Sequence, residues 1–246
     1  MNEYINITLE NLETEHLCCA ISDKKHQEGV QTKREWLKDR IKEGYVFRKL
    51  NAKGKVFIEY APLETAWTPV TGTDYLYIYC LWVAGSYKGN HYGKELLEYA
   101  IEDAKKQNKN GLCTLVSKKK KPYLGEKNFF LKYGFQVVDT IGDYELLALS
   151  FHGEVPKFCD SARKMEINNQ AFTIYYSPQC PFVQNCIQEV KAFIKETDAE
   201  ICFEKIDSLK KAKNAPCIFN NWANFKDGKF LSNQLLNKNL IAKLLK

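Results

Sequence analysis

The sequence predicts a two-domain α/β (α+β) protein, with a larger N-terminal domain built on a mixed central sheet and a smaller C-terminal α/β domain. Three observations carry this expectation. The chain has 246 residues, long for one compact domain and comfortable for two. Runs of strand formers alternate with amphipathic helical patterns in both halves. Between Phe151 and Asn169 the periodicity lapses through Gly153, Pro156 and a mixed charged stretch, which marks a linker. The expected partition is residues 1–150, a linker over 151–168 and a second domain over 169–246.

Taken in order, Val30, Trp36, Leu37 and Ile41 recur at helical spacing between Gln27 and Glu43, and Gly44 supplies a C-terminal stop. Val46 to Leu50 and Lys55 to Tyr60 read as a hairpin whose turn contains Gly54. Asp74 to Val83 is too rich in aromatic and β-branched residues for a surface helix and is expected to be a central strand. Tyr92, Leu96, Leu97, Ala100, Ile101 and Ala104 then form one apolar stripe of an amphipathic helix. Leu112 to Val116 is a short strand, Lys127 to Tyr133 a helix, and Phe135 to Val138 with Tyr144 to Leu149 a closing antiparallel pair. Beyond the linker come a strand at Phe172 to Tyr176, a helix at Pro181 to Lys195 and a strand at Ile201 to Ile206. A short helix, a strand after Pro216, a turn at Lys226 to Lys229 and a last helix complete the chain.

Composition narrows the function classes. Apolar residues at 45% and charged residues at 27% describe an ordinary globular protein. The net charge of +6 is diffuse, +3 on residues 165–246 and +3 on the rest. Its densest point, Lys118 to Lys121, suits an anionic cofactor or a solvated loop, and nucleic acid is not an expected partner. No run of 18 apolar residues and no leader pattern occurs, so no membrane partner and a cytoplasmic location are expected. The 9 cysteines have neither zinc-ligand nor disulfide-framework spacing, so reduced thiols and no metal are expected.

The most informative segment runs from the central strand through a glycine-containing loop into the amphipathic helix. Backbone N–H groups at the start of that helix and the positive end of its dipole favour an anion such as a pyrophosphate. Gly89 and Gly93 would let the backbone approach it, and Lys88 and Lys94 add positive charge. An ordinary strand-to-helix turn would show the same residues.

Lys88-Gly89-Asn90-His91-Tyr92-Gly93 resembles the acetyl-CoA signature of the GNAT (Gcn5-related) N-acetyltransferases, Q/R-x-x-G-x-G/A, with Lys88 for Gln or Arg and His91 for the first signature glycine. Phe129-Phe130-Leu131-Lys132-Tyr133-Gly134-Phe135 resembles the later F-Y-x-K-x-G-F element of that superfamily. Across nearly the full chain the pattern is similar to bacterial GNAT proteins that carry a C-terminal YoaP-like domain. The resemblance implies a GNAT fold and acetyl-CoA as cosubstrate. It also implies a central strand that splays from its neighbour, with Leu81, Trp82 and Val83 along the pantetheine arm and Lys88, Gly89, Asn90, His91, Tyr92, Gly93 and Lys94 at the pyrophosphate.

By the same resemblance an acceptor amine, on a small molecule or a peptide, attacks the thioester directly, with a backbone N–H near Trp82 or Val83 polarising the carbonyl. Glu59, on the hairpin strand beside the central one, is the candidate general base, ahead of Asp74 and ordered water. The family's proton-donating tyrosine falls on Phe130, which leaves Tyr133, Ser117 and Tyr123 as substitutes. His16, Tyr60, Trp67 and Tyr77 are candidates for acceptor contact, and Cys80, Cys18 and Cys19 raise a covalent acyl-cysteine route.

The C-terminal part resembles a thioredoxin fold, with Cys180 before a helix and Pro216 in the position of that fold's cis-proline. Val183 stands where a second motif cysteine would be, so dithiol exchange is not expected. A single redox thiol at Cys180, with Cys217 beside Pro216, remains as one reading; an inert fold used for binding or for dimer contact remains as the other.

Overall fold

The computed structural model describes residues 3–17, 20 and 24–245. Cys18 and Cys19, weighed for a covalent route, lie outside the described residues. Contacts divide the chain into two compact units: Met1–Ile21, Leu37–Ala66 and Val70–Cys159, then Ser22–Trp36, Trp67–Pro69 and Asp160–Lys246.

The first unit is organised on a seven-stranded sheet. Its strands are β1 (Tyr4–Asn6), β2 (Val46–Leu50), β3 (Val56–Pro62), β5 (Tyr75–Val83), β6 (Gly111–Ser117), β7 (Gln136–Ile141) and β8 (Tyr144–Ser150), in the order β1-β2-β3-β5-β6-β8-β7. The short strands β4 (Val70–Thr71) and β9 (Lys157–Phe158) pair with each other outside that sheet. All neighbours in the large sheet are antiparallel except β5 and β6, which run parallel and are joined by helix α2 (Tyr92–Lys106). A parallel pair needs such a crossover, and the stripe predicted for this segment supplies it: Leu96, Leu97, Ala100 and Ala104 are fully buried against Ile58, Tyr60, Leu76 and Ile78. Each such leucine contributes on the order of 2 kcal/mol by leaving water. The face is closed by Phe130 and Phe135, from helix α3 (Lys127–Lys132) and the turn after it. Hydroxyl bonds tie the sheet to α2, Tyr60 donating to Asp103 Oδ2 at 2.6 Å and Tyr4 to Glu95 Oε2 at 2.6 Å.

The opposite face of the same strands is aromatic. Tyr45 and Tyr77 each pack on Tyr79, and Phe47 stacks on Phe57 at 5.1 Å. Helix α1 (Gln27–Lys42) leads into this part of the chain.

Residues 151–168, read from sequence as a linker, hold β9, a 3-10 turn at Asp160–Arg163 and a bridge from Glu166 to Lys229. Phe158 and Ala162 are buried. Elements of two to four residues are too short to show a period, which is why the segment reads as structureless.

The second unit holds a four-stranded sheet of β10 (Phe172–Tyr176), β11 (Ile201–Lys205), β12 (Trp222–Lys226) and β13 (Lys229–Ser232), ordered β11-β10-β12-β13. β10 and β11 are parallel through helix α4 (Phe182–Thr197), while β12 and β13 form an antiparallel hairpin. Helices α5 (Leu209–Lys213) and α6 (Lys238–Leu244) complete it. The buried Asn224 amide is used at both ends: Trp222 Nε1 donates to Asn224 Oδ1 at 2.7 Å, and Asn224 Nδ2 donates to the Gln234 carbonyl at 2.8 Å. Pro216 does not have the isomer expected from the thioredoxin resemblance. Among the described residues no peptide bond is cis, so Pro216 adopts the trans form that X–Pro bonds favour by about 0.5–1 kcal/mol.

Candidate functional site

β5 is held on both sides over only part of its length. It pairs with β3 from Leu76 to Val83, but with β6 only from Tyr75 to Ile78, opposite Gly111 to Thr114. At the last shared position Thr114 Oγ1 donates to the Ile78 carbonyl at 3.0 Å. Past it the strands part, and the register to β3 shifts at Glu59 and Tyr60, inserting Tyr79 as a bulge. A bulge bends and twists the strand that carries it. Burial follows the same division: Tyr75 to Tyr79 are buried and Cys80 to Val83 are not.

Below the parting lies a cleft of about 590 Å³. Its walls are Leu81, Trp82 and Val83 of β5, Tyr87, Lys88, Gly89 and His91 of the connecting loop, and Tyr92, Gly93 and Lys94 of α2. The loop is a 3-10 turn over Gly85–Tyr87 followed by two left-handed residues, Gly89 at φ +83° and His91 at φ +62°. His91 is the N-cap of α2 and makes no side-chain cap bond, so its imidazole is not spent on the helix end. A histidine held left-handed costs about 1 kcal/mol or more, which a glycine would not incur. Asn90 differs from the other predicted cofactor contacts. It does not line the cleft, and its amide donates backward to the carbonyls of Ser86, Tyr87 and Lys88, each at 3.3 Å, bracing the loop.

A Cβ on Gly93 would lie 3.5 Å from the Phe129 ring and 3.7 Å from Leu81, which is ordinary contact. Both neighbours also line the cleft, so a longer side chain at 93 must extend into it. At Gly54, in the β2–β3 turn, a Cβ would come within 2.4 Å of the Tyr87 ring, so a side chain there would have to displace that ring.

The far wall comes from residues that the sequence did not assign to the cosubstrate site: Lys120, Leu124, Gly125 and Glu126 before α3, with Phe129 and Lys132 on it. Lys120 belongs to the lysine run considered for an anionic cofactor, and the fold brings it to the same opening as Lys88, Lys94 and Lys132. Lys94 pairs with Glu98 at 3.6 Å, whereas Lys88, Lys120 and Lys132 have no ion pair among the described residues. Four lysines against Glu126 leave the opening positive.

The candidate acid–base groups separate. Tyr133 lines the cleft and packs on Phe129 at 5.0 Å, and its hydroxyl has no partner among the described residues. Phe130 is 2% exposed, edge-on to Phe129 at 5.4 Å and to Phe135 at 5.2 Å. Ser117, 6% exposed, does not line the cleft and donates its hydroxyl to the Lys119 carbonyl at 2.5 Å. Glu59, 2% exposed, lies opposite Cys80 across the strand pair and accepts a hydrogen bond from Tyr45 at Oε2. Burial, then the Glu59 charge, pushes the Tyr45 phenol well above its ordinary range, so it stays a donor. Asp74, the rejected alternative, sits outside the cleft and pairs with Lys109 at 3.4 Å.

The acceptor candidates are likewise sorted. Tyr60 is turned toward α2 by its bond to Asp103, and Tyr77 is 1% exposed. His16 is engaged at both ring nitrogens, with Lys49 Nζ at 3.1 Å and the Gly54 carbonyl at 3.0 Å. Its pKa is lowered by burial and by the Lys49 charge, which fits a neutral ring that accepts from Lys49 and donates to Gly54. Trp67 belongs to the second unit. In that unit Cys180 is half-buried, and Cys217 is fully buried with its thiol pushed well above the ordinary range by burial, a poor setting for redox chemistry. Among the described residues no group of three or more His, Cys, Asp or Glu side chains is placed to hold a metal ion, and no helix is long and apolar enough to cross a membrane.

Residues 9–135 match the acetyltransferase (GNAT) family model and residues 203–246 the YoaP-like model. An N-acetyltransferase of Bacillus subtilis (strain 168), YoaP, described as uncharacterized, is 38% identical over 98% of this chain and 98% of its own. Among solved structures, the PaiA N-acetyltransferase of Thermoplasma acidophilum with coenzyme A covers 61% of this chain and 99% of that one at 19% identity, with a TM-score of 0.44. A GNAT acetyltransferase of Brucella melitensis with acetyl-CoA covers 64% and 93% at 14% identity, with a TM-score of 0.40. On the family match and the full-length relative, the chain belongs to the GNAT acetyltransferase family.

Proposed function

We propose that this acyltransferase moves the acetyl group of acetyl-CoA to a primary amine of a small-molecule or peptide acceptor by direct attack. The observation that carries the proposal is the parting of β5 from β6 after Ile78 and Thr114, beside a positive cleft at the start of α2.

In this reading the unshared edge of β5 at Leu81 to Val83 offers backbone groups to the pantetheine arm, and one of its N–H groups polarises the thioester carbonyl. The first turn of α2, with Gly89 and Gly93 allowing close approach, takes the pyrophosphate. Lys88, Lys94, Lys120 and Lys132 supply countercharge, and His91 donates to a phosphate oxygen. Asn90 contributes by holding the loop rather than by touching the cosubstrate. The acceptor must arrive as a neutral amine, and Glu59 is the proposed base that removes its proton. Tyr133 is the proposed acid for the leaving CoA thiolate, favoured over Ser117 because it lines the cleft and its hydroxyl has no partner among the described residues, while that of Ser117 is bonded to Lys119. In the second unit, the order β11-β10-β12-β13 with a parallel pair joined by α4 supports a thioredoxin-like reading of residues 169–246, linked by residues 151–168 to an acetyltransferase domain at 1–150. The reading places the enzyme in the cytoplasm.

Calorimetric titration of the reduced protein with acetyl-CoA tests the proposal. Saturable micromolar binding, followed by amine-dependent release of free CoA thiol in an amine screen, is the expected result. An absence of binding at millimolar acetyl-CoA overturns it.

A further inference from the structure

The loop leading into α4 closes a second cavity, of about 220 Å³, wholly inside the second unit. Ser177, Pro178 and Cys180 line one side, Val183 and Gln184 of α4 another, with Gly29, Thr32, Tyr176 and Lys205 completing it. Gly29 permits this closure, since a Cβ there would fall 1.9 Å from the Pro181 carbonyl oxygen.

Three properties of the cavity point to a ligand. Ser177 is 1% exposed, and its hydroxyl is buried with no hydrogen-bond partner among the described residues. A buried hydroxyl left unmet costs about 1–3 kcal/mol, which a polar ligand group would recover. The only charged side chain among the lining residues is Lys205, at the end of β11, which selects for an anion. A half-buried cysteine, Cys180, sits immediately before the cap of a 16-residue helix, where the helix dipole favours a thiolate. Neither cysteine nearest to it in role is suited to complete a disulfide exchange: burial, then Glu189, pushes the Cys186 thiol up to about 12, and Cys217 is fully buried. An adduct formed at Cys180 would therefore persist until an external thiol removed it.

We propose that this cavity binds a low-molecular-weight thiol carrying a carboxylate, and that Cys180 captures it as a mixed disulfide from the corresponding symmetrical disulfide. The Cys180 thiol gives its proton to solvent. The thiolate attacks one sulfur of the disulfide, a Cys180–ligand S–S bond forms as the reagent's S–S bond breaks, and the departing thiolate takes a proton from water. The carboxylate lies toward Lys205 and accepts from the Ser177 hydroxyl. This does not depend on the acetyl-transfer reading.

The test compares dithiodipropionate, which carries carboxylates, with cystamine, a disulfide of similar length that carries amines, on the reduced full chain. Adducts are followed by intact mass and located by peptide mapping. Dithiodipropionate is expected to modify Cys180 at least about tenfold faster than Cys159 or Cys202, and at least about fivefold faster than cystamine does. Lys205→Glu should reverse the preference between the two reagents. Labelling spread evenly over the half-buried cysteines, or a smaller or absent carboxylate preference in the unmodified chain, overturns the proposal. The acetyl-CoA titration should be the same for Cys180→Ser as for the parent chain, so the two proposals succeed or fail separately.

Discussion

The two halves of strand β5 make opposite use of the same backbone. From Leu76 to Ile78 the strand has partners on both edges and side chains sealed from water; from Leu81 to Val83 it has one partner strand and borders a cleft. The first half spends the hydrogen-bonding groups of both edges on the fold; in the second half the β6-facing edge is unshared, and the proposed function gives that edge to the cosubstrate. In the proposed function, stability and binding therefore reside in adjoining residues of one strand. Substitutions should separate the two properties cleanly.

The largest effect is expected in the closed half. Ile78→Ala, at a position 1% exposed, should lower unfolding free energy by about 2–5 kcal/mol in urea denaturation. A loss under 1 kcal/mol would mean that the paired half is not the rigid base of the site. At the open half, Gly93→Glu should weaken acetyl-CoA at least about a hundredfold, roughly 2.7 kcal/mol, by placing bulk and negative charge in the cleft with little change in stability. Equal affinity in this variant would remove the cosubstrate from the α2 loop. Tyr133→Phe should lower kcat about tenfold while leaving the acetyl-CoA Kd unchanged, because the hydroxyl acts on the leaving thiolate and not on the bound ground state. A matched loss in affinity would instead make Tyr133 a binding residue. The smallest effect is the most discriminating. His91→Gly should raise unfolding free energy by about 1 kcal/mol by releasing left-handed strain. It should also weaken acetyl-CoA a few-fold, and unchanged affinity would show that the imidazole faces solvent only.

The site was legible in the sequence where it is local. Gly89, Gly93, Lys88 and Lys94 sit within one turn of a helix start, so their placement on a cleft follows from helix geometry alone. Asn90 shows the limit of that reasoning: it occupies the same loop, but its amide donates to three backbone carbonyls of that loop and does not line the cleft. Lys120, Phe129 and Lys132 were noticed in their motifs but not placed on the cleft, because they reach it from an element far along the chain, through β6 and the loop after it. Phe130 was legible as a departure from the family pattern. Its burial against Phe129 and Phe135 explains how the position is used instead.

By itself the sequence determined the order of the longer strands and helices, without β1, β4 and β9, the amphipathic stripe of α2, the positive loop before it and the absent hydroxyl at residue 130, since each of these is a matter of residue type and spacing over a few turns. Only the tertiary structure decided where β5 parts from β6, that Ser117 is bonded to Lys119 while Tyr133 opens on the cleft, and that Ser177 and Lys205 share a cavity with Cys180. Those outcomes depend on which groups distant in the chain come within hydrogen-bonding distance, and packing settles that after local preference has been satisfied.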